Sequence, residues 1–594
     1  MSYVAPIPDL LFVLEEIAGI GEIAQLPGYG DATGDLVRSV LEEAGKFAAG
    51  VLAPLNRIGD EQGVRLDNGI VRTADGFRDA YGKFIAAGWN SMPFDPDYGG
   101  QGLPWALAAA AQEMMTSANM SFALCPLLTQ GAVELLQAHG SAEQKRSYLP
   151  NLVHGRWSGT MNLTEPQAGT DIGAVRTRAV KDGDRYRITG QKIFITYGEH
   201  DMSENIVHMV LARTPGAPPG VKGVSLFIVP KFGVRADGTL DGRNDLRCVA
   251  LEHKLGIHGS PTAVMAYGDY NGAIGELIGE ENRGIEYMFT MMNNARLSIG
   301  IEGLAIAERA YQQARDYARA RIQSRAADSS DQAPVPIIRH PDVRRMLMTM
   351  RAQTEAMRAL IAYTAGALDR AKRHPDVAER ARQQMMVDLL IPVAKGWCTD
   401  TACAVTSTGI QVHGGLGFIE STGAAQHFRD ARITPIYEGT NGIQAIDLVG
   451  RKLARDSGAA MRQLIGTMKA TVETANRDLG ERSLAPCLEE AIGQLASATD
   501  SLVAASQHER LAALAVASPY LALVGTVTGG WLLTKSALAA RRRQAEAKGR
   551  DDYLAAKEIV AQFYATNLLP QAGSLSVIVL SGGDATLALA EDQF

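Results

Sequence analysis

The spacing of apolar residues changes character along the chain and divides it into blocks. Up to residue 158, Ala, Leu and Met recur at intervals of three and four, as in Asp35–Phe47 and Trp105–Ala118, broken by Gly/Pro turns such as Pro93–Pro104. That interval gathers apolar side chains on one helix face, so residues 1–158 are predicted to form an N-terminal helical domain. From 159 to 286 the pattern shortens to β-branched and aromatic runs, Arg185–Thr196, Asn205–Thr214, Lys222–Phe232 and Ala263–Tyr270, separated by Gly/Pro/Asp-rich turns. Such runs predict a middle antiparallel, β-barrel-like domain. Helical spacing returns over 287–455, interrupted by the polar, proline-containing stretch 324–342, and a further helical block fills 456–594. The expected fold class is α+β: helical domain, β domain, C-terminal helical bundle and an additional helical extension.

Length and composition restrict the chemistry. With 594 residues, 46% of them hydrophobic, the chain can bury several cores. A formal net charge of -7 and a pI near 5.9 argue against nucleic acid as the main partner, because phosphate neutralisation needs clustered cations. The five cysteines are scattered and form no metal-like pairs, which points away from a disulfide framework or zinc site and toward a reducing cytoplasm. The first residues, MSYVAPIPDLLFVLEEIAG, have no basic region before the apolar ones and carry acids among them, unlike a secretory signal. Leu511–Thr534 contains no charge and is long enough to span a bilayer, but Pro519 and the pair Gly529–Gly530 suggest instead two buried helices meeting at a turn.

Several common sites are missing from the sequence. No G-x-G-x-x-G follows a predicted strand into a helix, and no G-x-x-x-x-G-K-S/T occurs, so a nucleotide cofactor would have to be held by other means. H-E-x-x-H, G-x-S-x-G and C-x-x-C are absent too, and no metal site is expected.

Three constellations carry chemistry. Met161–Asp171, MNLTEPQAGTD, and Lys192–Thr196, KIFIT, contain hydroxyls and flat apolar side chains of the kind that line an aromatic cofactor. Gly409–Phe418, GIQVHGGLGF, offers glycines that permit close backbone approach and an amide at Gln411, while His413 reads as a structural imidazole. Ile436–Gln444, IYEGTNGIQ, sets the carboxylate of Glu438 between a tyrosine and a Gly-Thr turn, where a base could take a proton from carbon.

Over about residues 1–455 these motifs resemble the acyl-CoA dehydrogenase family, flavoproteins built from a helical domain, a β domain and a helical bundle. The resemblance implies FAD as cofactor, contacted by Met161, Leu163, Thr164, Thr170, Phe194, Thr196, Arg321, Gln323, Gln411, Gly414, Gly415 and Thr440. Phe194 stands where the family usually has tryptophan, keeping an apolar wall but losing an N–H donor. Gln411, Gly414 and Gly415 match positions commonly reached by the FAD of a neighbouring subunit, which implies a homo-oligomer, a dimer or a dimer of dimers. Arg321 matches an arginine at the FAD pyrophosphate, although the family's following glycines are missing here. Glu438 matches the catalytic base, and its own backbone N–H is expected to help polarise the thioester carbonyl. Thr170, Met292, Asn293, Arg296, Tyr437 and Gly439 would line the acyl-CoA path. Where some branches carry a base just before the arginine matched by Arg296, this chain has Ala295.

The stretches TMNLTEPQAG, EHKLGIHGSPTAVM, MMNNARL, QVHGGLGFIESTGAAQ and IYEGTNGIQA are similar to an extended branch that includes 3-methylmercaptopropionyl-CoA dehydrogenases. The expectation is α,β-dehydrogenation of a short or medium acyl-CoA, a class that includes thioether acyl groups, with an electron-transferring flavoprotein as electron acceptor. An acyl-CoA oxidase would use the same base and flavin but reduce oxygen. A flavin-binding regulatory or DNA-associated protein would need a basic terminal domain, whereas the cluster Arg541–Arg543 lies among acids.

Overall fold

The computed structural model describes residues 3–594 apart from 236, 329–332, 481–483 and 548, and apart from the side chains of 506 and 507. In the first block, the amphipathic stretch after Thr33 forms the helix Gly34–Phe47, whose first turn is capped by the Thr33 hydroxyl accepting from Leu36 N at 3.3 Å. Trp105–Ala118 and Met120–His139 form two nearly all-buried helices, the second capped by Asn119. One element departs from the helical expectation. Arg65–Asp67 and Ile70–Arg72 make a small hairpin, turned at Asn68 and Gly69 with φ of 50° and 79°. Asn-Gly is the pair that tolerates two successive positive φ angles, so it marks a hairpin turn even within a helical domain.

The middle block is a mixed sheet rather than a purely antiparallel one. Its strand order is Leu246–Leu251, Thr262–Tyr267, Arg185–Thr196, Ala273–Leu277, Ser225–Pro230, Asn205–Ala212 and Trp157–Asn162, with Arg178–Asp182 also paired to Arg185–Thr196. The last two strands of the path run parallel, Trp157 opposite Asn205 through Asn162 opposite Val210. Both strands are buried along their whole length, as parallel pairs usually are. Trp157–Asn162 packs its outer face on Met120–His139, where Gly159 admits the methyl of Ala132; a Cβ there would lie 2.4 Å from it.

Three long helices, Gly284–Ala320, Pro341–Arg373 and Val377–His413, form the bundle that carries most of the motifs. The 324–342 interruption includes the hairpin of Ile322–Arg325 and Pro334–Pro336, while its residues 329–332 lie outside those described. Helices Ala459–Asp478, Ala485–His508, Ala517–Glu546, Asp552–Asn567 and Gln571–Ser581 make the extension and share one apolar core with the bundle, including Trp397, Leu464, Tyr520 and Trp531.

The apolar stretch around 511–534 differs from its expected form. The chain breaks earlier, at Val516, and Ala517–Glu546 runs unbroken through Gly529 and Gly530. These glycines serve close packing: a Cβ on Gly525 would sit 2.1 Å from the Trp397 ring, and one on Gly529 would sit 2.7 Å from the Tyr564 hydroxyl. Pro519 lies in the first turn, where its missing N–H costs nothing. This helix is long and apolar enough to cross a membrane, but 83% of its most apolar window is buried inside the protein.

Charged contacts fasten the extension to the start of the chain and to the bundle, and one more braces it internally. Lys557 bonds Asp9 and, at 3.0 Å, Glu355; Arg543 bonds Glu15 at 2.5 Å and Glu16 at 2.7 Å; Arg542 bonds Glu16; and Arg541 bonds Glu558 at 2.6 Å. All three arginines of the 541–543 cluster are paired with carboxylates.

Candidate active site

Glu438 sits on a turn between the helices Ala424–Ala431 and Asn441–Asp447. Its φ is 56° and that of Gly439 is 83°, so two successive residues adopt the left-handed region. Glycine does so freely; for glutamate the conformation costs on the order of 1 kcal/mol and persists only where neighbours impose it. Here the neighbours are identifiable. Lys395 Nζ donates to the Gly439 carbonyl at 2.9 Å and to Asn441 Oδ1 at 2.8 Å, and Gln444 Nε2 donates to the same carbonyl at 3.1 Å. Asn441 Nδ2 in turn bonds Gly396 O, Thr399 Oγ1 and Asp400 Oδ1. Thr440 caps the next helix by accepting from Ile443 N. The backbone N–H of Glu438 has no partner among the described residues, so it is free to donate to a ligand.

The surroundings of Glu438 weaken its acidity. Burial pushes it from 4.5 up to about 7, opposed by the positive charges of Arg296 and Lys395. Arg296, buried on the Gly284–Ala320 helix, pairs with Asp447 at 3.5 Å. Lys395 is itself pulled down to about 8 by burial, with Glu438 foremost in opposing that shift. Beside them the hydroxyl of Tyr437 donates to Glu302, a buried carboxyl on the same helix as Arg296. A carboxyl with such an affinity for protons can accept one at neutral pH, and the nearby cations stabilise its charged form before it does. Ala295, the residue before Arg296, is buried and carries no ionisable group, and the carboxylate that does lie beside Arg296, Asp447, is engaged by Arg296 and Arg451.

A second wall forms where the first constellation meets the strand Arg185–Thr196. Lys192 Nζ donates to Leu163 O and Glu165 Oε1, and Ile193 N donates to Thr164 O, fixing Leu163 and Thr164 alongside Lys192–Thr196. The register against Thr262–Tyr267 slips between Ile195 and Lys192, leaving a bulge. Phe194 lies in that bulge with φ of 59° and a ring that is 57% exposed. Bulges redirect side chains, and this one turns a large apolar ring outward, two residues before Thr196. Met161 is buried in the strand below, and Thr170 lies exposed in the following loop.

The remaining residues of the pattern are not at this wall. Arg321 ends the Gly284–Ala320 helix, 25 residues beyond Arg296, which at about 1.5 Å per residue is roughly 37 Å away. Stacking of Tyr317 on His413, with ring centroids 4.4 Å apart, brings this end to the end of Val377–His413. Arg321, Gln323, Gln411, Gly414 and Gly415 therefore form a separate, exposed group. A Cβ on Gly414 or Gly415 would meet nothing within 4 Å, and Phe418 nearby is 85% exposed. His413 donates from Nδ1 to Gly409 O at 2.7 Å and serves the helix end. Met292 packs into the apolar core at Leu128, and Asn293 is half-buried one turn before Arg296.

Sequence reasoning missed two residues. Lys395 interrupts the apolar run Leu389–Cys398, and Glu302 interrupts Leu297–Ala307. A single charge inside an apolar helical run demands a buried partner, and that signal was available.

A long bundle helix beside a β domain brings a protonatable carboxyl up to buried cations, an arrangement suited to taking a proton from a bound substrate. The chain matches the family models for the acyl-CoA dehydrogenase N-terminal domain over 37–156, middle domain over 160–269 and C-terminal domain over 282–454, and the acetyl-CoA dehydrogenase C-terminal-like model over 464–590. It belongs to the acyl-CoA dehydrogenase family and is an FAD-dependent oxidoreductase. It is 50% identical over 590 residues to the 3-methylmercaptopropionyl-CoA dehydrogenase of Ruegeria pomeroyi, covering 99% of both chains. It is 35% identical to the broad-specificity linear acyl-CoA dehydrogenase FadE5 of Mycobacterium tuberculosis, covering 96% of both. Its fold is similar to that of Caenorhabditis elegans ACDH-11 in complex with C11-CoA, with a TM-score of 0.76, 22% identity, and coverage of 95% of this chain and 91% of that one. The residues fit FAD: the exposed Phe194 ring at the bulge suits one face of an isoalloxazine, and the open backbone at Gly414 and Gly415 suits close approach of a dinucleotide.

Proposed function

We propose that this protein converts a short or medium acyl-CoA to its α,β-trans-enoyl-CoA, with 3-methylmercaptopropionyl-CoA as first candidate and an electron-transferring flavoprotein as electron acceptor. The observation that carries the proposal is Glu438, held in a left-handed turn with its affinity for protons raised to about pH 7 between Arg296 and Lys395. Glu438 takes the α-proton onto its carboxylate. Its unpartnered backbone N–H donates to the thioester carbonyl and so acidifies that carbon. FAD, when bound, supplies the acceptor for the hydride from the β-carbon. Tyr437 and Gly439 flank the base, Arg296 holds the carboxylate's charge, and Met292, Asn293 and Thr170 line the approach. Met161, Leu163, Thr164, Phe194, Thr196 and Thr440 hold the flavin end of the cofactor.

Arg321, Gln323, Gln411, Gly414 and Gly415 serve the FAD of a second copy, which makes the enzyme a homo-oligomer. Their separation from Arg296 along one helix and the exposed Leu416, Phe418 and Ile419 beside them support this. The four units follow the boundaries 1–158, 159–286, 287–455 and 456–594. The enzyme works in the cytoplasm, consistent with five free cysteines.

Anaerobic titration of the yellow holoenzyme with straight-chain and thioether acyl-CoAs of graded length tests this. Stoichiometric bleaching by short or medium chains is expected, and absence of bleaching by every acyl-CoA refutes it. Peroxide formed without an added acceptor would make the protein an oxidase instead.

A further inference from the structure

We infer that Glu302 is a positioning residue for the catalytic turn, acting on Glu438 through the hydroxyl of Tyr437; this rests on Glu438 being the base. Glu302 lies on the inner face of Gly284–Ala320 between Ile301 and Gly303 and is 1% exposed. Among the described residues its hydrogen bond is the one accepted from Tyr437, at Oε2, while Oε1 is buried without a partner. An apolar side chain would fill such a place without the desolvation that a carboxyl suffers. The contact that the carboxyl adds is the grip on Tyr437.

That grip holds the residue next to Glu438, on a turn also braced by Asn441 N donating to Pro435 O and Ile436 N donating to Ile433 O, each at 2.9 Å. On the C-terminal side, Lys395, Gln444 and Asn441 secure the carbonyl of Gly439 and the helix beyond. On the N-terminal side, Tyr437 is tied by its backbone N–H to Ile433 O at 3.2 Å and by its phenol to Glu302. Between the two anchors stands Glu438 at its strained φ of 56°. Releasing the phenol removes one of the constraints that keep Glu438 from relaxing to an ordinary backbone conformation, which would swing both its carboxyl and its free N–H away from the substrate.

The charged groups facing Glu302 are Glu438 from the turn and Lys395 from Val377–His413, with Tyr437 as hydrogen-bond donor. Burial pushes Glu302 up to about 8, and the neighbouring Glu438 pushes in the same direction. Both effects favour the protonated form of Glu302. The neutral isostere glutamine can accept the same hydrogen bond from Tyr437.

The test is the rate of anaerobic flavin bleaching at saturating acyl-CoA, in holoenzyme variants checked for flavin content. Glu302→Leu and Tyr437→Phe are each expected to slow bleaching about tenfold while changing acyl-CoA affinity less than about threefold. The double variant is expected to be no slower than the slower single one, because both cut the same link. Glu302→Gln is expected to recover most of the rate lost in Glu302→Leu. Bleaching by Glu302→Leu within about twofold of the parent, multiplied losses in the double variant, or a Glu302→Gln as slow as Glu302→Leu would each overturn the inference. Should Glu302→Leu fail to fold, Tyr437→Phe decides alone, and a rate within about twofold of the parent overturns it. Glu438→Gln separates the two levels. If it bleaches normally the base assignment fails; if it is inert while Tyr437→Phe is normal, only the role of Glu302 fails.

Discussion

Replacing Glu438 by glutamine should make the protein more stable, by an amount that depends on pH. An unfolded glutamate ionises near 4.5, whereas burial pushes Glu438 in the folded protein up to about 7. Below pH 4.5 both states carry the proton and the site adds no cost. As pH rises from 4.5 to 7 the unfolded chain ionises and the folded one resists, so stability is lost across that window and the loss is complete above pH 7. At about 1.36 kcal/mol per pH unit the gap corresponds to at most about 3 kcal/mol. Glutamine does not ionise and escapes the loss. The assay is urea unfolding of parent and Glu438→Gln holoenzymes, followed by tryptophan fluorescence at pH 4.5, 6 and 8. A higher midpoint for the variant at pH 8, shrinking toward none at pH 4.5, is expected. Equal midpoints at every pH, or a lower one at pH 8, would refute the claim that burial opposes the charge on Glu438.

Three further outcomes follow from the same geometry. Because the base must be ionised, the bleaching rate at saturating substrate should rise with pH through about 7 and then level; a rate independent of pH between 5 and 8 in stopped-flow absorbance would contradict this. Gly525→Ala drives a methyl into the Trp397 ring and should destabilise the protein by about 1–3 kcal/mol, read as a lower urea midpoint. Phe194→Ala removes the exposed wall at the bulge and should weaken FAD binding about tenfold, seen as flavin lost on dilution and gel filtration.

Much of this molecule was legible in its sequence where local pattern and tertiary demand agree. Trp105–Ala118 and Arg185–Thr196 form a helix and a strand over the residues that their spacing marked, because each buries the face its pattern exposes to view. Glu438 is singled out by the resemblance of IYEGTNGIQ to the family's base-carrying segment, since on its own a glutamate beside Gly-Thr reads as a solvated turn or helix cap. What escaped depends on contacts distant in sequence. Gly529 and Gly530 looked like a turn, but Tyr564 and Leu569 press against them and make small residues necessary inside a helix. The Asn68–Gly69 hairpin was overlooked because helical spacing surrounds it. The parallel pairing of Trp157–Asn162 with Asn205–Ala212 joins runs more than 40 residues apart, and alternation within one run says nothing of direction. Glu302 and Lys395 acquire meaning only when the turn at 438 folds against them.

The most direct test is the Glu438→Gln holoenzyme mixed anaerobically with an acyl-CoA that bleaches the parent. Yellow protein that binds the acyl-CoA yet keeps its flavin oxidised is expected, since Ala295 offers no base and the Asp447 carboxylate is held by Arg296 and Arg451. Complete bleaching at the parental rate would contradict the assignment of Glu438 as the base.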